Sequence, residues 1–191
     1  SGSGKIVIYN PGDNPYYVDM PAGSTHIDGN NSAFIKLLIE HRNDNNIVLA
    51  NLTDPGYGTA NPAGALGAQL NIGAALNLAV NGANIVLNGN NLGFDAAGAP
   101  TDYNSRRMII TDNSVIGHVI KDYAAAGKFE FPIGIDVDDY TPATVDMKEA
   151  GKIYASVQNY AATNLSGIKP ELGMDRNWHI YADRLLKADV S

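Results

Sequence analysis

The amino-acid sequence predicts an all-β fold, a β-sandwich in which the centre has a short β-solenoid-like segment as its alternative. Three observations predict it. Short runs rich in Val, Ile, Tyr and Phe recur about every 8–12 residues, with turn residues between them. The stretch 55–94 holds no Asp, Glu, Lys or Arg, yet alternates apolar with small or polar side chains, as half-buried strands do. No segment carries a convincing helical period, since 122–127 is too short and too Ala-rich.

The first strand signal is Lys5-Ile6-Val7-Ile8-Tyr9, closed by the turn residues Asn10-Pro11-Gly12-Asp13. Tyr16-Tyr17-Val18-Asp19-Met20 follows and stops at Pro21-Ala22-Gly23. Over 34–41, strand alternation places Phe34, Lys36, Leu38 and Glu40 on one face and Ile35, Leu37, Ile39 and His41 on the cleaner apolar one. Asn43-Asp44-Asn45-Asn46 is a polar turn, 47–52 the next strand, and Asp54-Pro55-Gly56 opens a long loop. Residues 1–66 therefore read as a small β unit or as part of a neighbouring domain. Residues 67–191 read as the sandwich or solenoid-like domain.

The centre carries an internal echo: Asn77-Leu78-Ala79-Val80-Asn81-Gly82, then Asn84-Ile85-Val86-Leu87-Asn88-Gly89. Two structures satisfy it. Each Asn-Gly can be a type I′ hairpin turn, because both residues tolerate positive φ. That would set Val80 opposite Ala83, Leu78 opposite Ile85 and Leu76 opposite Leu87, all on one face. Alternatively, each Asn-Gly is a corner of a parallel β-solenoid, with one side of a coil between corners and Asn side chains in ladders. Beyond it, 95–105 reads as a loop, and strands are expected at 108–111, 117–123, 128–131, 144–145, 152–157 and 178–182.

Composition excludes several functions. Hydrophobic residues make up 45% of the 191, enough to fold. Only 17% are charged, with 20 Gly and many Asn supplying polarity instead; amide-rich surfaces of this kind suit extracellular β-proteins. A net charge of −7 with scattered basic residues disfavours nucleic acid and anionic membranes as partners. There is no cysteine, hence no disulfide, thiolate–metal site or thiol nucleophile. No apolar run is long enough to insert into a membrane. Ser1-Gly2-Ser3-Gly4 reads as a linker or mid-chain edge, and 185–191 stops in what reads as a strand. The chain is thus expected to be a fragment of a longer protein.

From Leu70 to Trp178 a series of motifs appears in fixed order. An Asn/Gly-rich strand pair spans 80–92. Ser105-Arg106-Arg107-Met108-Ile109-Ile110-Thr111-Asp112 gives an Arg-Met-Ile strand. Then come Phe129-Glu130-Phe131-Pro132-Ile133-Gly134, Tyr140-Thr141-Pro142 and Met174-Asp175-Arg176-Asn177-Trp178. The series resembles large secreted surface proteins of Bacteroidetes, often exported by the type IX system. It covers slightly more than half of the chain and leaves 1–66 outside. The resemblance implies an extracellular, cell-surface, repetitive adhesin or filament role with no catalytic residues. The acidic Ile135-Asp136-Val137-Asp138-Asp139 departs from that pattern.

Those aspartates are the candidate metal site. Asp136, Asp138 and Asp139 supply the hard oxygen ligands calcium prefers, although the EF-hand spacing is missing and Val137 interrupts the run. Asn43-Asp44-Asn45-Asn46 is a weaker calcium candidate. No cofactor is otherwise required. The four histidines, His26, His41, His118 and His179, show no metal-binding spacing. No Gly-x-Ser-x-Gly or phosphate loop is present, and the uncharged centre cannot supply a glycosidase's carboxylates. The expectation is therefore no enzyme. Among ten tyrosines, Tyr16 and Tyr17 are the loop-like pair placed to stack on sugar. Trp178 reads as core or as a cation–π partner of Arg176.

The preferred function is a non-catalytic structural or adhesive module of an extracellular surface protein. Edge strands at Lys5–Tyr9 and 187–190 would be completed by neighbouring domains or identical subunits. The alternative is a carbohydrate-binding module recognising surface glycans.

Overall fold

A computed structural model describes residues 4–9, 25–51, 67–163 and 175–191. Among them, strands dominate and the single helix, α1 (Tyr160–Thr163), is one turn long, so the fold is all-β. The chain winds through three parallel sheets in turn, and the coils lie side by side. The first sheet orders β1 (Lys5–Tyr9), β3 (Leu38–Arg42), β6 (Ala75–Leu78) and β9 (Ala99–Thr101). The second runs β2 (Thr25–Ile27), β4 (Ile47–Leu49), β7 (Ile85–Val86), β10 (Ile109–Ile110) and β13 (Ile133–Gly134). The third begins with β5 (Leu70–Ile72), β8 (Leu92–Phe94) and β11 (Val119–Tyr123). Every pairing among these strands is parallel. Pairing of β3 with β6 and of β4 with β7 joins sequence on both sides of residue 66.

Winding aligns equivalent residues of successive coils. Ile47, Ile85, Ile109 and Ile133 form one row, and Leu70, Leu92 and Val119 another. All are buried in one continuous core. Each such side chain, removed from water, contributes about 2–3 kcal/mol.

The Asn-Gly echo is a pair of corners. Gly82 turns the chain from the first sheet to the second at φ +85°, and a β-carbon there would collide with the Asp44 carbonyl. Asn88 and Gly89, also at positive φ, turn it from the second to the third. The hairpin alternative fails. Leu76 pairs with Ile39 and Pro100, and Ile85 with Ile47 and Ile109, not with each other's strands. Only the Val80–Ala83 turn contact survives, the Ala83 N–H donating to the Val80 carbonyl at 3.1 Å. Alternation reports which face is buried, not which strand lies alongside, so both arrangements shared one pattern.

The expected Asn ladder has one rung within the second sheet's entrance. Asn84 donates to the Asn46 side chain at 3.1 Å and accepts from the Met108 N–H at 2.9 Å. His41, fully buried beside it, places Nε2 3.2 Å from the Asn84 carbonyl and accepts the Asn43 N–H on Nδ1 at 3.3 Å. The carbonyl only accepts and the amide only donates, so the hydrogen sits on Nε2. Burial lowers the His41 pKa to about 4.

After β11 the pattern changes. β15 (Gly151–Gln158) and β16 (Asn177–Ala182) extend the third sheet antiparallel. β12 (Gly127–Phe131), β14 (Ala143–Met147) and β17 (Ala188–Val190) form an antiparallel sheet of their own. Phe129, Phe131, Val145 and Met147 of that sheet are buried in the common core, Phe129 against Phe94 with ring centroids 6.0 Å apart. The Thr111 hydroxyl donates to the Val157 carbonyl at 2.6 Å, tying the coils to β15. A two-sheet sandwich is not confirmed by this pairing. β9 occupies part of the expected 95–105 loop. Leu37, expected inside, is exposed because β3 begins one residue later.

Candidate functional site

Strand alternation gives the third sheet an outer face. Leu70, Ile72, Leu92, Phe94 and Val119 point into the core, so the residues between them point out. Register then builds one outward row across the strands. Ile35 bridges to Ile72, which sets Phe34 beside Asn71. Asn71 lies opposite Gly93, Gly93 opposite Ile120, Ile120 opposite Tyr154, and Tyr154 opposite Tyr181. A neighbouring row carries Gln69, Asn91, His118, Ser156 and His179, each two residues from its counterpart.

The aromatic end is well defined. Tyr154 and Tyr181 stack with ring centroids 4.8 Å apart and planes within 2°, a spacing equal to that of the strands that bear them. Both rings therefore stand up from the sheet. One face of Tyr154 covers Tyr181, and the other borders the depression over Gly93 and Ile120. His118 meets both rings edge-on, at 6.3 Å and 5.1 Å. Burial lowers its pKa, helped by His179 nearby, so the imidazole is neutral at pH 7. Ser156, opposite His179, is fully buried, and its hydroxyl has no hydrogen-bond partner among the described residues.

The amide end is a network. The Gln69 side chain donates to Asn71 Oδ1 at 2.8 Å, and Asn91 donates to Gln69 Oε1 at 3.3 Å. Asn71 donates to the Ser32 carbonyl at 2.7 Å, and Asn91 Oδ1 accepts the His118 N–H at 2.9 Å. Each amide group has two hydrogens. Among the described residues, Gln69 and Asn91 each use one of theirs here. Between the amides and Tyr154 lies a depression of about 140 Å³ with Gly93 in its lining. Any β-carbon at Gly93 would stand 2.5 Å from Asn71 Oδ1, so glycine makes room for the Asn71 side chain that borders the depression. Asp122 and Lys152, directly opposite each other, line one side of it.

No protein-family model matches the chain, and no curated protein or solved structure matches it either.

The described residues expected from sequence as sites lie as follows. Asp136, Asp138 and Asp139 diverge. Asp136 accepts its neighbour Val137's N–H at 2.7 Å and helps to raise the pKa of Asp112, behind the larger effect of burial. Asp138 lines a polar groove of about 360 Å³ with Asp44, Asn81 and Arg106. Asp139 forms an ion pair with Arg176. Among the described residues no group of three or more His, Cys, Asp or Glu is placed to hold a metal ion. Within Asn43-Asp44-Asn45-Asn46, the Asn43 side chain accepts the Asn45 N–H, which makes a closed turn. Tyr16 and Tyr17 lie outside the described residues. Trp178 packs against the core and donates from its ring N–H to the Thr141 carbonyl at 3.1 Å; Arg176 is engaged by Asp139 instead.

The tyrosine pair escaped sequence reading although a signal existed. Ile153-Tyr154-Ala155 and Ile180-Tyr181-Ala182 repeat one tripeptide. Antiparallel pairing of such a repeat brings its central residues face to face.

Asp95, at the margin of this face, pairs with Lys36 and accepts the N–H groups of Ala97 and Gly98. Against the opposing effect of its burial, these partners hold its pKa below the usual carboxylate value. A general acid for glycoside cleavage needs the opposite shift.

Proposed function

We propose that the chain is a non-catalytic structural or adhesive module of a large extracellular bacterial surface protein or filament. The observation that carries this reading is the position of two strands. Among the described residues, β1 ends the first sheet and β17 ends the antiparallel sheet, the two segments the sequence offers as edges. A wound parallel sheet extends by adding strands to such an edge, whether from adjoining sequence or from another copy. The Cys-free, low-charge composition and the motif order resembling secreted Bacteroidetes surface proteins support the extracellular setting. Affinity in such a module comes from area and repetition rather than from chemistry.

The test is sedimentation across a wide concentration range, combined with amide hydrogen exchange. The expected result is oligomers that grow with concentration, with exchange in β1 and β17 slowing in parallel. A monomer at every concentration, with those amides exchanging unchanged, overturns strand-addition assembly. A second reading, a carbohydrate-binding module, is favoured by the aromatic and amide face of the third sheet.

A further inference from the structure

Resting on that second reading, we propose that the outer face of the third sheet binds a neutral oligosaccharide laid across the strands. Its rings would stack on the free face of Tyr154 and hydrogen-bond to Gln69, Asn71 and Asn91.

The ligand class follows from what the face offers and what it lacks. A sugar ring has an apolar C–H face and a rim of hydroxyls that both donate and accept. Tyr154 supplies a flat apolar partner already fixed by Tyr181 behind it and His118 at its edge, so little side-chain freedom is lost on binding. The amides supply donors and acceptors whose orientation is set before the ligand arrives. A peptide could not add as a strand here, because the backbone groups of a sheet interior are engaged in its own ladders. An ionic ligand finds no net counter-charge in the depression, since Lys152 faces Asp122.

The length of the site argues for a chain rather than a single sugar. Adjacent strands are about 4.8 Å apart, so Phe34 and Tyr154, four strands apart in the row, are separated by about 19 Å. Asn71, Gly93 and Ile120 lie between them. A ring stacked on Tyr154 lies over Ile120, with the Asn71 amide over Gly93 one strand further on. Few pockets of this size hold a ligand tightly, and tight binding would come from several modules on one surface.

Titration calorimetry of the whole chain with cello-, xylo-, manno- and chito-hexaose tests the proposal. Saturable binding of at least one is expected. Tyr154→Ala should weaken it at least tenfold, Tyr154→Phe should keep it within about threefold, and Gly93→Val should weaken it at least tenfold by displacing the Asn71 side chain. Circular dichroism confirms that each variant is folded, and Tyr154→Ala stands alone if Gly93→Val is not. Leu185→Ala, fully exposed elsewhere, should leave affinity unchanged. The proposal is overturned if none of the four binds, if only an acidic sugar chain such as oligogalacturonate binds, or if Tyr154→Ala binds as well as the parent. Concentration-dependent oligomers alongside such a failure would sink this face alone and leave the structural reading standing.

Discussion

The parallel coils and the antiparallel strands that follow them solve the same problem with different materials. In the coils, partners come from equivalent positions one turn away, so rows of like residues form: Ile47, Ile85, Ile109 and Ile133. Corners are made by Gly82, Asn88 and Gly89 at positive φ. Buried polarity there includes the neutral Asn84 and His41 and two charged groups, Glu40, paired with Lys5 and Arg42, and Lys121, held by three backbone carbonyls. In the antiparallel part, partners face each other across turns, and the ion pairs are more exposed ones: Lys148 with Asp146 and Asp189, and Arg176 with Asp139.

The contrast can be broken hardest from within a row. Ile85→Ala removes a fully buried side chain flanked by isoleucines above and below. It should cost about 3–5 kcal/mol, read as a drop in the urea midpoint. A loss under about 1 kcal/mol would mean that the rows do not hold the coils together.

Acid provides a subtler probe of the same region. The folded His41 holds off its proton until about pH 4, whereas an unfolded imidazole takes one near pH 6.5. Stability is therefore complete above about 6.5 and falls as pH drops towards 4, by up to about 3 kcal/mol. Urea melts at pH 7, 5.5 and 4 should show this slope, and His41→Gln should flatten it. An unchanged slope in that variant would assign acid sensitivity to other groups.

The smallest effect belongs to the antiparallel part. Arg176→Ala breaks a partly exposed pair with Asp139 and should cost about 1 kcal/mol or less, diminishing with added salt. A larger, salt-independent loss would show that this region too depends on polar contacts in its interior.

Much of the strand content was legible because burial writes a period of two into the sequence. The segments 128–131, 152–157 and 178–182 were expected as strands and lie within or along β12, β15 and β16. Partnership was legible only where local sequence decides it. The hairpin reading of 76–87 failed because the true partners of Ile85, namely Ile47 and Ile109, are remote in sequence, and no turn chemistry announces them. Helical winding also hid the site. Phe34, Asn71, Gly93, Ile120 and Tyr154 share one row across the sheet, but their order along the chain gives no spacing to recognise. Only the repeated Ile-Tyr-Ala tripeptide left a trace.

The coil-on-coil pairing also dictates how the molecule must come into being. β7 has no hydrogen-bonding neighbour until β4 or β10 is in place, so every added turn needs a finished one as its template. Such remote pairing makes for slow folding that starts from a costly first nucleus and then propagates. A chain delivered end-first, from a ribosome or through a narrow pore, presents each new turn beside one that can already serve as its template.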